Sequence, residues 1–144
     1  MKVGRKRLIV RYLFDTDVIS SLMKPGSPAG LRERLALIGR KAQAISALTV
    51  QEICYGAYRS ADPAKYLDAL ERFLLTRVEI VPFEETAARI AGRIRAEREL
   101  PGRPIASADL QIAATALATG RILVTGNTRH FLDIPGLDVE NWVA

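Results

Sequence analysis

The sequence predicts an α/β fold in which a mostly parallel sheet is covered by helices on both faces. Short apolar runs rich in β-branched residues alternate with longer segments whose apolar residues recur every three or four positions. Continuous apolar runs are typical of strands buried on both faces, as in parallel sheets. The helical segments between them supply the crossovers that parallel neighbours require.

Five segments are the predicted strands, and residues that interrupt an apolar run mark their ends. The first contains Arg11 and ends at the carboxylate of Asp15, the third ends at Pro82, and a glycine-containing loop follows the fourth. The last should be a short edge strand. In chain order the predicted strands cover 8–14, 42–48, 78–81, 122–125 and 139–143.

Six helices are predicted between these strands. Thr16 and Asp17 carry side-chain oxygens that can cap the first helix, and Asp62-Pro63 has the composition of a helix start. Gly39 should end the second helix and Gly120 the sixth. The sixth is apolar nearly all round, so it should be central and buried. In chain order the predicted helices cover 18–23, 31–38, 49–60, 63–74, 84–99 and 109–118.

Length and composition indicate one globular unit. We expect residues 1–144 to form a single domain, with the lysine- and arginine-rich residues 1–7 as a basic N-terminal extension. Apolar residues make up 49% and charged residues 26%, values typical of globular chains. No apolar stretch approaches the roughly 18 to 20 residues of a membrane span. The N-terminal apolar run contains Arg11 and ends at Asp15, so we expect no signal peptide and no membrane partner.

Counts of reactive and charged residues exclude some classes of site. The single cysteine, Cys54, excludes an internal disulfide and fits a reducing cytoplasm. One histidine and one cysteine exclude a zinc cluster built from these two residue types. The net charge of +5 and the pI near 9.7 make polyanions a candidate partner class without identifying one.

Polar residues recur where predicted elements meet. Asp15 follows the first strand, Glu52 and Asp109 lie in the first turns of helices, and Asn127 follows the fourth strand. We expect these side chains to share the carboxyl edge of the sheet, where open α/β folds bind ligands. Each also has a purely local explanation: a capped turn for Asp15, a capping box of Thr49 with Glu52, a helix cap for Asp109, and positive φ for Asn127.

Carboxylates gathered at one edge have a characteristic chemistry. At about 4 Å each pair repels by on the order of 4 kcal/mol at an effective dielectric constant near 20. A bound cation or raised pKa values must relieve that repulsion. A ligand set of oxygen atoms selects hard ions such as Mg²⁺ or Mn²⁺, and such a site can polarise a phosphodiester and activate a water.

Four motifs follow one another along the chain: FDTDVIS at 14–20, SALTVQEICYG at 46–56, IASADLQIAATA at 105–116 and VTGNTRHF at 124–131. In this order they resemble the motifs of the PIN-domain family, and most of all those of its VapC-type toxins from bacterial toxin–antitoxin pairs. The resemblance extends over nearly the whole chain from about residue 8, and the terminal Asn141-Trp142 adds to it.

This resemblance implies a three-layer α/β/α sandwich and a Mg²⁺- or Mn²⁺-dependent endoribonuclease that forms a homodimer and binds a cognate antitoxin. Asp15, Glu52 and Asp109 match the acidic triad of the family. Asp15 and Asp109 are expected to hold the ion directly, and Glu52 to act through a water. Asn127 stands where many members have a fourth acid, so the site has one charge fewer.

Other residues of the matching motifs have auxiliary roles in this interpretation. Thr16, Asp17 and Thr125 are expected to support the acids, and Asp17 stands where the family often has asparagine. His130 falls where an acid or another polar residue is common, and we interpret it as a surface residue.

Two alternatives come from other functional classes. The segment Asp15-Thr16-Asp17-Val18 also fits the opening motif of haloacid-dehalogenase phosphatases, in which the first aspartate is the nucleophile and the second the acid/base. That class also needs paired acids after a late strand, and residues 124–127 contain no acid. The second alternative is a catalytically inert module that binds nucleic acid or an antitoxin.

Overall fold

The computed structural model describes residues 9–74 and 77–144, except for the side chains of residues 73 and 74. Within these ranges the chain forms a five-stranded sheet in the order β3-β2-β1-β4-β5. All four strand pairings are parallel, which confirms the predicted sheet. The strands are β1 Tyr12–Phe14, β2 Gln43–Ser46, β3 Glu79–Val81, β4 Ile122–Val124 and β5 Val139–Glu140.

Helices cover both faces of this sheet, which confirms the three-layer α/β/α arrangement. Apolar residues of α1, α2 and α3 form one core with one face, and those of α5 and α6 form a second core with the other. Helix α4 packs against α3. The helices are α1 Thr16–Met23, α2 Ala29–Leu37, α3 Ala47–Arg59, α4 Pro63–Ala69, α5 Glu85–Glu99 and α6 Ser107–Thr119.

The alternation of side chains along the strands divides the two cores. Leu13 of β1 is paired with Ala44 and Leu123 in register, and these residues belong to the core under α5 and α6. The next residue along each strand belongs to the core under α1 to α3. Since Asp15 follows Phe14, its side chain is directed to the α6 side of the sheet.

The first strand is shorter than its apolar pattern predicts. Ile9 and Val10 are 69% and 50% exposed and lie outside the sheet, while Leu8 is outside the described residues. The pairing of β1 with both neighbours begins at Tyr12, opposite Gln43 and Ile122. One more backbone hydrogen bond, from the Ile122 N–H to the Arg11 carbonyl at 2.8 Å, lies before it.

Four helices begin two residues before their predicted starts: α1 at Thr16, α2 at Ala29, α3 at Ala47 and α6 at Ser107. Apolar residues at 66–74 recur at helical spacing and predict one buried face, but Tyr66 is 40% exposed whereas Leu70 is buried. A π-helical turn over Leu70–Leu74 continues α4. Phe73 and Leu74 belong to the same predicted face, and their side chains lie outside the described residues.

The sixth predicted helix is central, as expected. Six residues of α6 are buried, and it packs against α5 as well as the sheet. Gly120 ends it in the left-handed conformation, with φ of 64°. Beyond β5, Trp142 is only 5% exposed and packs edge to face on Phe14, with ring centroids 5.6 Å apart.

Among the described residues, no helix combines the length and the apolar character required to span a bilayer. The proposed basic extension at 1–7 lies outside these residues.

Candidate active site

Asp15 is held at the junction of β1 and α1. It is the N-cap of α1, and its Oδ1 accepts a hydrogen bond of 2.8 Å from the Thr16 backbone N–H. Its Oδ2 accepts a second bond of 2.8 Å from the hydroxyl of Thr125, at the end of β4. The residue is 5% exposed. Helix capping therefore explains the hydrogen bond of only one of its two oxygens. The other oxygen is held by Thr125, which follows a different strand.

Burial makes the Asp15 carboxyl harder to ionise, and two neighbouring carboxylates add to this effect. Burial raises the pKa of this carboxyl from 3.8 to about 6, while the bonds from Thr125 and Thr16 oppose the rise. The charges of Asp17 and Asp109 raise it further. The carboxylate of Asp109 is therefore close enough to Asp15 for the two charges to interact.

Asp109 lies in the first turn of α6 and does not cap it. The N-cap residue is Ala106, and no side chain bonds the free N–H groups there, so the capping interpretation of Asp109 is wrong. Its side chain is 21% exposed. A carboxylate in this position still interacts favourably with the positive end of the helix dipole.

Glu52 is oriented by a residue from another helix. Because α3 begins at Ala47 and the Ser46 hydroxyl oxygen accepts the Leu48 N–H at 3.0 Å, the capping box of Thr49 with Glu52 does not form. Instead, Glu52 Oε1 accepts a bond of 2.7 Å from the Thr16 hydroxyl. The buried Thr49 hydroxyl lies 3.1 Å from the same Thr16 oxygen. Glu52 is thus placed beside the residue that follows Asp15.

Asp17 joins α1 to the loop after β4. Its Oδ1 accepts the Val18 N–H and its Oδ2 accepts the Gly126 N–H, both at 2.8 Å. A Cβ atom at Gly126 would lie 2.7 Å from that Asp17 oxygen and 2.7 Å from a methyl group of Val143. Only glycine allows the backbone to approach this closely. Asp17 therefore fixes the loop that carries Thr125 rather than presenting a free carboxylate.

Asn127 contributes through its backbone. Its N–H donates to the Thr125 hydroxyl oxygen at 3.0 Å, while its side chain is exposed and has no hydrogen bond within the described ranges. Its φ is −99°, so the expectation of a positive φ is wrong. The structure therefore links Glu52 to Asp15 through Thr16 and brings the charge of Asp109 within reach of Asp15. The side chain of Asn127 stays exposed.

His130 is a neighbour of the acids that the sequence interpretation did not assign to the site. Its ring is 56% exposed, as expected for a surface residue, yet Nδ1 lies 3.0 Å from Asp109 Oδ2. The available signal was its position three residues after Asn127, in the loop at the carboxyl edge of the sheet.

The family model of the PIN domain matches this chain over residues 12–137. The chain belongs to the PIN-domain family. A tRNA(fMet)-specific endonuclease VapC from Shigella flexneri is 37% identical to it over 134 residues, which are 93% of this chain and 99% of the relative. Ribonuclease VapC2 from Haemophilus influenzae is 33% identical, over 94% of this chain and all of the relative.

Solved structures of PIN-domain proteins share the fold as well. A DNA-bound VapBC from Salmonella typhimurium contains a chain that superposes with a TM-score of 0.85 at 34% identity, covering 92% of this chain and 98% of that one. VapBC-1 from nontypeable Haemophilus influenzae gives a TM-score of 0.85 at 30% identity, covering 94% of this chain and all of that one. This PIN domain is thus similar to chains of VapBC complexes over nearly its full length.

The acids of this PIN domain fit a hard cation that retains waters. Among residues 9–74 and 77–144, no three acidic, histidine or cysteine side chains lie close enough to enclose an ion by themselves. Mg²⁺ usually binds through one or two carboxylates, several waters and substrate phosphates rather than in an all-protein cage. The repulsion between Asp15 and Asp109 and their oxygen-only donor set match that pattern.

Because Asp15 is buried, we predict that the stability of the metal-free protein depends on pH. Between pH about 4 and about 6 the folded protein retains a proton on Asp15 that the unfolded chain has released, so stability should increase as pH falls through this interval. The difference between the two pKa values corresponds to about 3 kcal/mol, which destabilises the ionised protein near pH 7.

Urea unfolding of the wild type and Asp15→Asn in EDTA, from pH 4 to 8, measures this cost. The stability difference in favour of the variant should be largest at pH 7 to 8 and should shrink as pH falls towards 4. A difference that does not vary with pH would contradict a raised pKa at Asp15.

Proposed function

We propose that this chain is a Mg²⁺- or Mn²⁺-dependent endoribonuclease and the toxin of a toxin–antitoxin pair. The observation that carries the proposal is the convergence of Asp15 and Asp109 at the carboxyl edge of the sheet, with Glu52 oriented beside them. Relatives named as VapC ribonucleases, aligned over more than nine-tenths of the chain, support the reaction class.

Asp15 and Asp109 are the residues that would hold the ion. When bound, the ion would polarise the scissile phosphodiester and favour ionisation of a water. Thr125 holds the Asp15 carboxylate by one oxygen, so this group has little freedom to rotate. Such preorganisation places charge before the substrate arrives and avoids reorganisation during the reaction.

Glu52 is the candidate to orient the attacking water and accept its proton. The hydroxyl of Thr16 donates to Oε1, which leaves Oε2 without a hydrogen bond in the described ranges and able to bind a water. Because Thr16 directly follows Asp15, this bond couples the position of the proposed base to that of the proposed metal ligand.

RNA would be held by arginines outside the acidic cleft. Arg129 is exposed in the same turn as His130. Arg59 and Arg103 are exposed but already contact Tyr55 and Asp133, at 2.7 Å and 2.9 Å. Arg5 lies outside the described residues. Phosphate contacts of this kind give affinity and orientation but carry no base information.

The direct test is cleavage of RNA by the purified protein with and without metal. The Shigella flexneri relative is named as specific for tRNA(fMet), which makes this tRNA the first substrate to assay. Cleavage should require Mg²⁺ or Mn²⁺, stop in excess EDTA, and return when Mn²⁺ is added beyond the chelator. Undiminished cleavage in EDTA by protein dialysed free of metal would contradict the proposal.

The proposed partners are a cognate antitoxin and a second copy of this chain. The solved relatives are described as VapBC complexes, which supports an antitoxin partner for this fold. An arginine from that antitoxin could bind in the acidic cleft and neutralise one or more of Asp15, Glu52 and Asp109, because a guanidinium binds carboxylates in a bidentate manner.

A further inference from the structure

The three proposed catalytic acids differ in how their carboxylates are held. Asp15 accepts two hydrogen bonds, from Thr16 and Thr125, and Glu52 accepts one from Thr16. For Asp109, the described residues provide a single polar contact, the one with His130 Nδ1 at 3.0 Å. Asp109 and His130 come from α6 and from the loop after β4, so the contact depends on how that loop is fixed.

The loop that carries His130 is anchored on both sides of the residue. The His130 N–H donates to the Asn127 carbonyl at 3.0 Å, closing a 3-10 turn over Thr128–Phe131. Phe131, the next residue, is 2% exposed and packs in the same core as α6. Arg98 of α5 then donates to the Leu132 carbonyl at 2.6 Å. The backbone of His130 is therefore held against the helix that carries Asp109.

We propose that His130 is a positioning residue: Nδ1 lies within ion-pair distance of Asp109 Oδ2, and by donating to that oxygen it would orient the carboxylate and leave Oδ1 for the ion or its water. This role rests on the proposed ribonuclease function. Hydrogen-bond partners of metal ligands fix the orientation of those ligands, and their removal typically costs about 10- to 100-fold in metal affinity or activity. Where other members of the family often have an acid or another polar residue, His130 would thus support the site by holding Asp109 and not by adding a negative charge.

The contact itself can be tested without metal or substrate. The chain contains one histidine, so its imidazole signals in a ¹⁵N–¹H correlation spectrum need no assignment. In metal-free protein at alkaline pH, where an ordinary imidazole is neutral, Nδ1 should carry the proton. Asp109→Ala should lose this preference. An Nδ1 that carries no proton in the wild type would overturn the proposal.

Three substitutions distinguish the effect of the hydrogen-bond donor from the effect of the size of the ring. His130→Ala removes the donor, His130→Asn places an amide N–H near the position of Nδ1, and His130→Gln places its amide near that of Nε2. We expect kcat to fall about 10- to 100-fold in the alanine variant with little change in KM. The asparagine variant should remain within about 3-fold of the wild type, and the glutamine variant should resemble alanine.

Leu132→Ala is the matched control, because this side chain is 56% exposed in the same loop and makes no polar contact. It should leave kcat and Mn²⁺ affinity unchanged. Calorimetric titration with Mn²⁺ provides a readout besides activity: affinity should fall about 10- to 100-fold in His130→Ala and recover in His130→Asn.

The outcomes distinguish this inference from the function on which it rests. If wild-type protein cleaves no RNA with Mn²⁺, the proposed function fails, while the Mn²⁺ titration and the imidazole spectrum still decide the role of His130. Wild-type kcat and Mn²⁺ affinity in His130→Ala would overturn the positioning role. Equal losses in the asparagine and glutamine variants would overturn it as well, since the donor position would then be irrelevant.

Discussion

Replacing Asp15 or Asp109 with asparagine is expected to reduce metal-dependent RNA cleavage by about 1000-fold or more, equivalent to about 4 kcal/mol of transition-state stabilisation. Each substitution removes a negative charge from the pair that would hold the ion, while the side chain keeps its size. A neutral amide is a weaker ligand for a hard cation than a carboxylate. Single-turnover cleavage with saturating enzyme measures the chemical step apart from RNA binding.

Both variants should remain folded. In Asp15→Asn the carbonyl oxygen can still accept the Thr16 N–H, and loss of the buried charge should raise the melting temperature in EDTA. Asp68→Asn is the control, since it neutralises an exposed carboxylate on α4 and should alter neither activity nor melting. If Asp15→Asn unfolds, its main role is to cap α1 and to bond Thr125, and the metal assignment loses its support.

Replacing Glu52 with glutamine should lower turnover by about 100- to 1000-fold, the range usual for loss of a positioned general base. Stability should change by less than about 0.5 kcal/mol, because the glutamine carbonyl can still accept the Thr16 hydroxyl and no helix cap is lost. Rates of multiple-turnover cleavage and urea unfolding of the same preparations test the two expectations.

Glu97→Gln provides the matched control, because Glu97 forms an exposed ion pair with Arg93 at 3.7 Å. Exposed pairs of this kind contribute little to stability, so this variant should behave as wild type in both assays. Wild-type turnover in Glu52→Gln would exclude Glu52 from the chemical step and leave a role in packing beside Thr16.

Most of the architecture could be predicted from local pattern. Apolar runs predicted the strands, and helix α6 was correctly expected to be buried because its residues are apolar on nearly every side. The errors lie at the ends of elements. Ile9 and Val10 have the composition of a strand but lie before the paired residues of β1. Helix α3 starts at the cap that Ser46 provides, two residues before the predicted start.

The sequence by itself determined which residues reach the carboxyl edge of the sheet, because residues that follow parallel strands must meet there. Only the tertiary structure decided what each one does at that edge. Thr125 bonds Asp15 across a separation of 110 residues, and Thr16 bonds Glu52 across 36. The contact of His130 with Asp109 likewise depends on packing between two distant elements. Capping and turn patterns involve residues within about four positions. They therefore cannot predict hydrogen bonds between strands and helices that come together only on folding.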